Sequence, residues 1–335
     1  MNVVELTRAL VDIDSVTGAE AQVGSYLFDC VSKLTAATSG SCERMEVEAG
    51  RFNVFASWGE PAVTLSTHMD TVPPFLASRE DSENVWGRGS CDAKGIIASM
   101  VVAAEKLSAE GVRNFGLLFV VGEERNSAGA LAAVRSPRGS RFLINGEPTE
   151  NKLALASKGV LRFEIVAHGK TAHSAYPELG DSAIDALLDA LEAIRRVPLP
   201  KDDLFGRCTV NIGTISGGRA PNVVADNARA EVLVRLVGDP GPIREAFAAA
   251  VDGRVQLKEV LWLPAMRFER VDGFETTVVS YTTDVPVLSR NWGRPLLIGP
   301  GSIHVAHTAE ERVSKEQLSE AVVIYSELVR RLLSN

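Results

Sequence analysis

The run Asn114-Phe115-Gly116-Leu117-Leu118-Phe119-Val120-Val121 constrains the fold more than any other stretch. It is apolar without alternation, as a strand buried on both faces is. Such a strand needs a helical layer above and below it. The flanking sequence supplies helices. Ile96, Ile97, Met100, Val101, Ala104 and Leu107 recur at helical spacing over 95–110, and a shorter helix fits 127–134. Residues 3–12 and 19–34 read as two further helices separated by the turn Ser15-Val16-Thr17-Gly18. Strand patterns occur at 52–57, 62–66, 141–144 and 295–298. A closing helix opens with a capping box, Ser314 with Gln317, and carries the stripe Leu318, Val322, Tyr325, Val329 and Leu332. This alternation predicts an α/β fold, with a mostly parallel sheet covered by helices.

The pattern changes near residue 160. Strands at 160–166, 208–215, 228–237 and 254–263 and helices at 181–196 and 241–251 follow in the order β-α-β-β-α-β, a ferredoxin-like arrangement. The expected organisation is therefore a discontinuous α/β domain, 1–159 and 266–335, with a small α+β domain, 160–265, inserted into it.

Composition removes several classes of function. The net charge is -8 and there is no basic run, which argues against nucleic acid as a partner. No apolar segment reaches the roughly 20 residues needed to span a bilayer. The N-terminus lacks a basic, apolar signal pattern, so a cytoplasmic protein with no membrane partner is expected. Cys30, Cys42, Cys91 and Cys208 show no paired spacing, which argues for reduced thiols and against a cysteine metal site.

The chemistry collects at predicted strand ends. His68 and Asp70 follow the strand at 62–66 and precede Pro73-Pro74, which ends regular structure. Asp92 lies in the glycine loop Gly87-Arg88-Gly89-Ser90-Cys91-Asp92-Ala93-Lys94-Gly95. Glu123 and Glu124 follow the buried apolar run, and Glu147 follows the strand at 141–144. Adjacent carboxylates repel each other, and burial raises the cost of both charges. A bound cation offsets that cost. Strand-like backbone would point the two in opposite directions, leaving one to ligate and the other to handle protons. The plainer alternative is an exposed acidic turn. With a late histidine, His304 or His307, the set is rich in oxygen donors and lacks thiolate. It suits a two-metal hydrolytic centre in which zinc is preferred and cobalt or manganese can substitute.

The ordered set Ser66-Thr67-His68-Met69-Asp70-Thr71-Val72-Pro73, the glycine loop through Gly95, Gly122-Glu123-Glu124, Glu147-Pro148-Thr149 and Ala306-His307-Thr308-Ala309-Glu310-Glu311 resembles the M20 family of metallopeptidases and deacylases. That resemblance implies a zinc-exopeptidase-like catalytic domain with an inserted lid and dimerisation domain. It further implies that His68 and Glu147 hold one metal, that Glu124 and His307 hold the other, and that Asp92 bridges them, with a cis peptide following Asp92. Asp70 would orient His68. Glu123 would be the general base that deprotonates water for attack on an amide carbonyl and returns the proton to the leaving amine.

In the inserted domain, His168-Gly169-Lys170-Thr171-Ala172-His173-Ser174-Ala175-Tyr176-Pro177 resembles the family's lid motif. There His173 would reach the active site of the partner subunit and stabilise the oxyanion. Asn222 falls in a matching segment, and Arg235 would bind a substrate carboxylate from a strand. Read alone, His173 is a surface-loop histidine and Arg235 a residue of a solvated strand face. Gly301, in Gly299-Pro300-Gly301-Ser302, either contributes a backbone pocket for substrate or makes a turn. The loop 299–308 is closer to acetylornithine and acetyl-lysine deacetylases than to peptidases of the family. The expected substrate is accordingly an N-acyl amino acid. A dipeptide, another short peptide or succinyl-diaminopimelate stands as the alternative, and a catalytically silent metal-dependent binding protein as the reading of another class.

Overall fold

The computed structural model describes residues 1–334. The chain separates into two compact units. The first comprises residues 1–155, 268–277 and 283 onward, and the second comprises 156–267 and 278–282.

The first unit begins with α1 (Val3–Val11), capped by the Asn2 side chain, which accepts the N–H groups of Val4 and Glu5. Helix α2 (Ala21–Ala37) follows, then β1 (Ser41–Glu48), β2 (Arg51–Trp58), β3 (Val63–His68), α3 (Lys94–Ala109), β4 (Phe115–Val120), α4 (Ala128–Ala133), β5 (Phe142–Asn145) and β6 (Leu153–Ser157). The second unit contributes β7 (Gly159–His168), α5 (Ala183–Arg196), β8 (Thr209–Gly217), β9 (Asn227–Leu236), α6 (Gly241–Val251) and β10 (Gln256–Leu263). The chain then returns to the first unit with β11 (Arg294–Leu297) and α7 (Lys315–Leu333).

The longer strands of the nine-stranded main sheet lie in the order β1-β2-β4-β3-β5-β11-β6, and the short strands Met266–Arg267 and Thr276–Val279 pair with β6. The four central strands β4, β3, β5 and β11 run parallel, while β1, β2 and β6 pair antiparallel. The sheet is therefore mixed. Strand β4 is buried on both faces. Phe115, Leu117 and Phe119 pack with Leu10, Leu27, Ile97 and Leu328 of the helices on one side, and Leu118 and Val120 pack with Ala130, Leu288 and Trp292 on the other. Burying each large apolar side chain contributes about 1.5–3 kcal/mol. Parallel neighbours send their carboxyl ends to the same edge of a sheet. That edge carries the candidate site.

Several short strands, among them Asn84–Trp86, Thr276–Val279 and Arg312–Ser314, and two longer ones have no clear mark in the sequence. Strand β1 reads Ser-Cys-Glu-Arg-Met-Glu-Val-Glu and lies at the sheet edge, where only Met45 is buried. Strand β6, Leu-Ala-Leu-Ala-Ser, lacks the β-branched residues that signal a strand. At α7, Ser314 caps as expected, but the side chain of Gln317 does not complete the box. Its Oε1 accepts the N–H of Gly301 at 2.8 Å.

In the second unit, β8-β9-β7-β10 form an antiparallel sheet. Helices α5 and α6 pack on it through Leu187, Leu191, Ile194, Ile243 and Phe247. Its element order is β-α-β-β-α-β.

Candidate metal centre

Strand β3 ends at His68, fully buried. The imidazole is held from both sides. Its Nδ1 lies 3.0 Å from the main-chain oxygen of Asp70, and its Nε2 lies 3.0 Å from Asp92 Oδ1. Nδ1 donating to a carbonyl leaves Nε2 as the nitrogen that faces the site. Asp92 comes from the loop that starts α3, and its peptide bond to Ala93 is cis, as expected. Its second oxygen meets His307 Nε2 at 3.3 Å, and the same nitrogen lies 2.8 Å from Glu124 Oε1. One carboxylate thus stands between two imidazoles. Nitrogen and oxygen atoms of His68, Asp92 and Glu124 lie within 4.8 Å of one another, close enough to share an ion.

The turn after β4 differs from the sequence expectation. Gly122 takes a left-handed conformation (φ 79), so Glu123 and Glu124 occupy a turn, not the strand-like backbone expected from the sequence. The carboxylate of Asp70 shapes that turn. Oδ1 accepts the N–H of Glu123 at 3.1 Å, and Oδ2 accepts the N–H of Glu124 at 3.2 Å and the hydroxyl of Thr17 at 2.7 Å. Asp70 therefore touches His68 mainly through its main chain, its Oδ1 lying 3.5 Å from Nδ1, and spends its carboxylate on the glutamate turn.

Charge balance marks the site. Burial pushes the carboxyl groups of Glu123 and Glu147 well above the ordinary range. Nearby carboxylates add to that push, and His68 opposes it. Glu147 lies just past β5, is buried, and accepts one amide bond, from Asn145 Nδ2 at 3.3 Å. Asp284 had no part in the sequence reading. Among the described residues its oxygens have no hydrogen-bond partner of normal geometry, and burial pushes it up to about 6, with Ser127 as the main opposing influence. His307 is raised as well, but by its partners rather than by burial: Asp92 and Glu124 lift its imidazole to about 10, which favours the protonated ring while no cation is bound. Glu123, Glu124, Glu147, Asp92 and Asp284 together outnumber the two histidines. This donor set, with no thiolate, fits divalent cations. The His307 backbone is left-handed (φ 64), and His304 is exposed.

Gly301 does not present free backbone groups. Its N–H goes to Gln317 and its carbonyl accepts the N–H of Glu150 at 2.8 Å, so the turn alternative accounts for both. In the second unit, His173 is exposed and its Nδ1 accepts the N–H of Ala175 at 3.1 Å. Asn222 is exposed, and its carbonyl accepts the N–H of Ser174 at 3.0 Å. Arg235 is half-buried on β9, where burial lowers its pKa, and no carboxylate pairs with it among the described residues. Asp284 follows Tyr281-Thr282-Thr283 and precedes an apolar residue. A lone acid in that setting gives no signal without its distant neighbours.

Comparison with known proteins is consistent with this arrangement. A family model described as a peptidase dimerisation domain matches residues 155–256. The chain is 37% identical over 336 residues to a peptidase M20 domain-containing protein of Schizosaccharomyces pombe, covering 98% of this chain and 84% of the relative. It is 40% identical over 377 residues to a probable carboxypeptidase of Aspergillus fumigatus, covering 97% and 86%. In fold it is similar to the crystal structure of aminopeptidase PepT from Bacillus cereus, with a TM-score of 0.79, 20% identity and coverage of 99% and 98%. Among the described residues, no helix is long and apolar enough to cross a membrane.

Proposed function

The chain belongs to the M20 peptidase family, a family of amide-bond hydrolases, and from that membership we propose a dinuclear-metal amidohydrolase whose leaving amine carries an α-carboxylate. The observation that carries this reading is the Asp92 carboxylate flanked by the Nε2 atoms of His68 and His307. His68 and Glu147 would hold one ion, Glu124 and His307 the other, and Asp92 both. Zinc is preferred, with cobalt or manganese as substitutes. Such ions polarise a carbonyl and acidify water. The protein's own residues do the rest. Glu123, raised by burial, accepts a proton from water and passes it to the departing nitrogen. Asp70 holds Glu123 and Glu124 in register through their N–H groups.

Arg235 supports the carboxylate half of the proposal. A half-buried guanidinium without an acid partner is suited to an anionic ligand. Two substrate types share the required chemistry: a peptide with a free C-terminus and an N-acyl amino acid such as acetylornithine or acetyl-lysine. The probable carboxypeptidase relatives favour the first. The loop Gly299–Thr308 favours the second. The match to a dimerisation domain supports a homodimer formed through the second unit, in which His173 would serve the partner's site.

The test is amine release by metal-stripped protein, before and after addition of zinc or cobalt. The substrates are acetylornithine, acetyl-lysine, succinyl-diaminopimelate and N-blocked dipeptides, each also as its C-terminal amide. Metal-dependent release confined to the free carboxylates is expected. Equal cleavage of the amides would overturn the substrate class. Two bound ions with no release from any substrate would favour the silent binding protein.

A further inference from the structure

Glu311 is buried, yet it stands beside Asp92, another carboxylate. Burying two like charges together is costly, so something specific must hold Glu311 there. Its Oε1 accepts three main-chain N–H groups of one loop: Gly89 at 2.8 Å, Cys91 at 3.3 Å and Asp92 at 3.2 Å. Its Oε2 accepts the guanidinium of buried Arg88. Its carbonyl accepts the N–H of Gly87 at 3.1 Å. A single residue thus organises the loop that delivers Asp92. It also lies four positions after His307, whose imidazole meets Asp92 at 3.3 Å.

We propose that Glu311 is a positioning residue that fixes the Asp92 loop and the His307 loop relative to each other, and so sets the separation of the two metal-binding ends of the site. The inference rests on the two-metal reading. What matters is where the Oε1 oxygen sits, since three buried N–H groups depend on it. The other oxygen, Oε2, neutralises buried Arg88, whose remaining bond is a long one from Nε to the Pro74 carbonyl at 3.3 Å, so a test of position must also deal with that guanidinium.

Two variants separate position from charge. Glu311→Gln combined with Arg88→Met keeps an oxygen within reach of the three N–H groups and removes the buried guanidinium that the new NH2 would face. Glu311→Asp keeps the charge but withdraws the oxygen by one methylene. Cobalt binding is followed by titration and visible absorption, and amide hydrogen exchange over 87–92 is followed in the metal-stripped proteins. The Glu311→Gln/Arg88→Met pair is expected to bind cobalt within about threefold of wild type. Glu311→Asp is expected to lose roughly 10- to 100-fold, the range seen when a group supporting a ligand is lost, with an altered spectrum and faster exchange of these amides. The reverse order, or two variants indistinguishable from wild type, overturns the proposal. Wild type binding fewer than two cobalt ions would overturn the two-metal reading instead. The exchange contrast, measured without metal, would still judge Glu311.

Discussion

Changing Asp70 to Asn tests how the site is braced. The wild-type carboxylate is fully buried and accepts two backbone N–H groups and one hydroxyl at 2.7–3.2 Å. Burial acts to raise its pKa, but His68, Thr17 and the N–H of Glu124 outweigh burial, and the group titrates below the ordinary carboxylate range. The ionised form is therefore the one the fold stabilises. An amide retains one acceptor oxygen and turns its NH2 toward a remaining N–H. The loss is one charge-assisted bond, about 1.5–3 kcal/mol, and one buried unsatisfied donor, about 1–3 kcal/mol. Together these give roughly 3–5 kcal/mol after relaxation. For a unit of this size each kcal/mol moves Tm by about 2–4 °C, so a fall of about 6–20 °C is expected. Three of the four tryptophans, Trp58, Trp86 and Trp292, belong to the first unit, so tryptophan fluorescence reports its melting. A group with a lowered folded pKa stabilises above its unfolded pKa, and that stability is lost as pH falls through the folded value. The deficit of the variant should thus be full at pH 6 and shrink below pH 4. A Tm within 2 °C of wild type at pH 6 would refute the brace.

Three other outcomes are expected. Glu123→Gln should cut kcat by roughly 10²–10⁴ while metal content, read by elemental analysis, stays the same; loss of metal with partial activity retained would remove Glu123 from the role of base. Arg235→Met should lower kcat/KM for carboxylate substrates by roughly 10- to 100-fold through the lost charge-assisted bond, chiefly in KM, and a drop confined to kcat would count against carboxylate binding. Metal binding at pH 7 should release protons, because His307 titrates near 10 in the metal-stripped protein and His68 is also raised, so both imidazoles must shed a proton to ligate; calorimetry in buffers of different ionisation enthalpy showing no proton release would contradict this charge state.

The helices and central strands were legible because their apolar spacing is dictated by burial. The run at 114–121 announced a strand with helices on both faces, and β4 is that strand. The strand-end acids and histidines were legible as a group, and parallel pairing of β3, β4 and β5 brings positions 68, 123 and 147 to one edge of the sheet. Less legible was anything carried by hydrogen bonds between distant segments. Asp70 serving the glutamate turn, Gln317 reaching Gly301 and Glu311 gathering the 89–92 loop join residues 53, 16 and 222 positions apart. Spacing says nothing about such bonds, and an edge strand such as β1, built largely from charged residues, gives no apolar period to read.

The first unit also contains its own control for what unbalanced charge means. Glu20 is fully buried, but Arg51 meets it at 2.6 Å and is itself mostly covered. Glu311 is buried against Arg88. Each of these acids has a guanidinium in bonding range, so neither calls for an ion. Among the described residues, Glu123 has no such cation, Glu147 has only the amide of Asn145, and Asp284 has no partner of normal geometry. The desolvation cost is similar in kind for both groups. Where the fold needed a buried carboxylate for its own architecture, it supplied an arginine. At the carboxyl edge of the parallel strands it supplied only two imidazoles, both clasped to Asp92. The same chain thus neutralises its structural acids and leaves these acids under-compensated, which is the arrangement the proposed pair of divalent ions and proton-accepting glutamate would require.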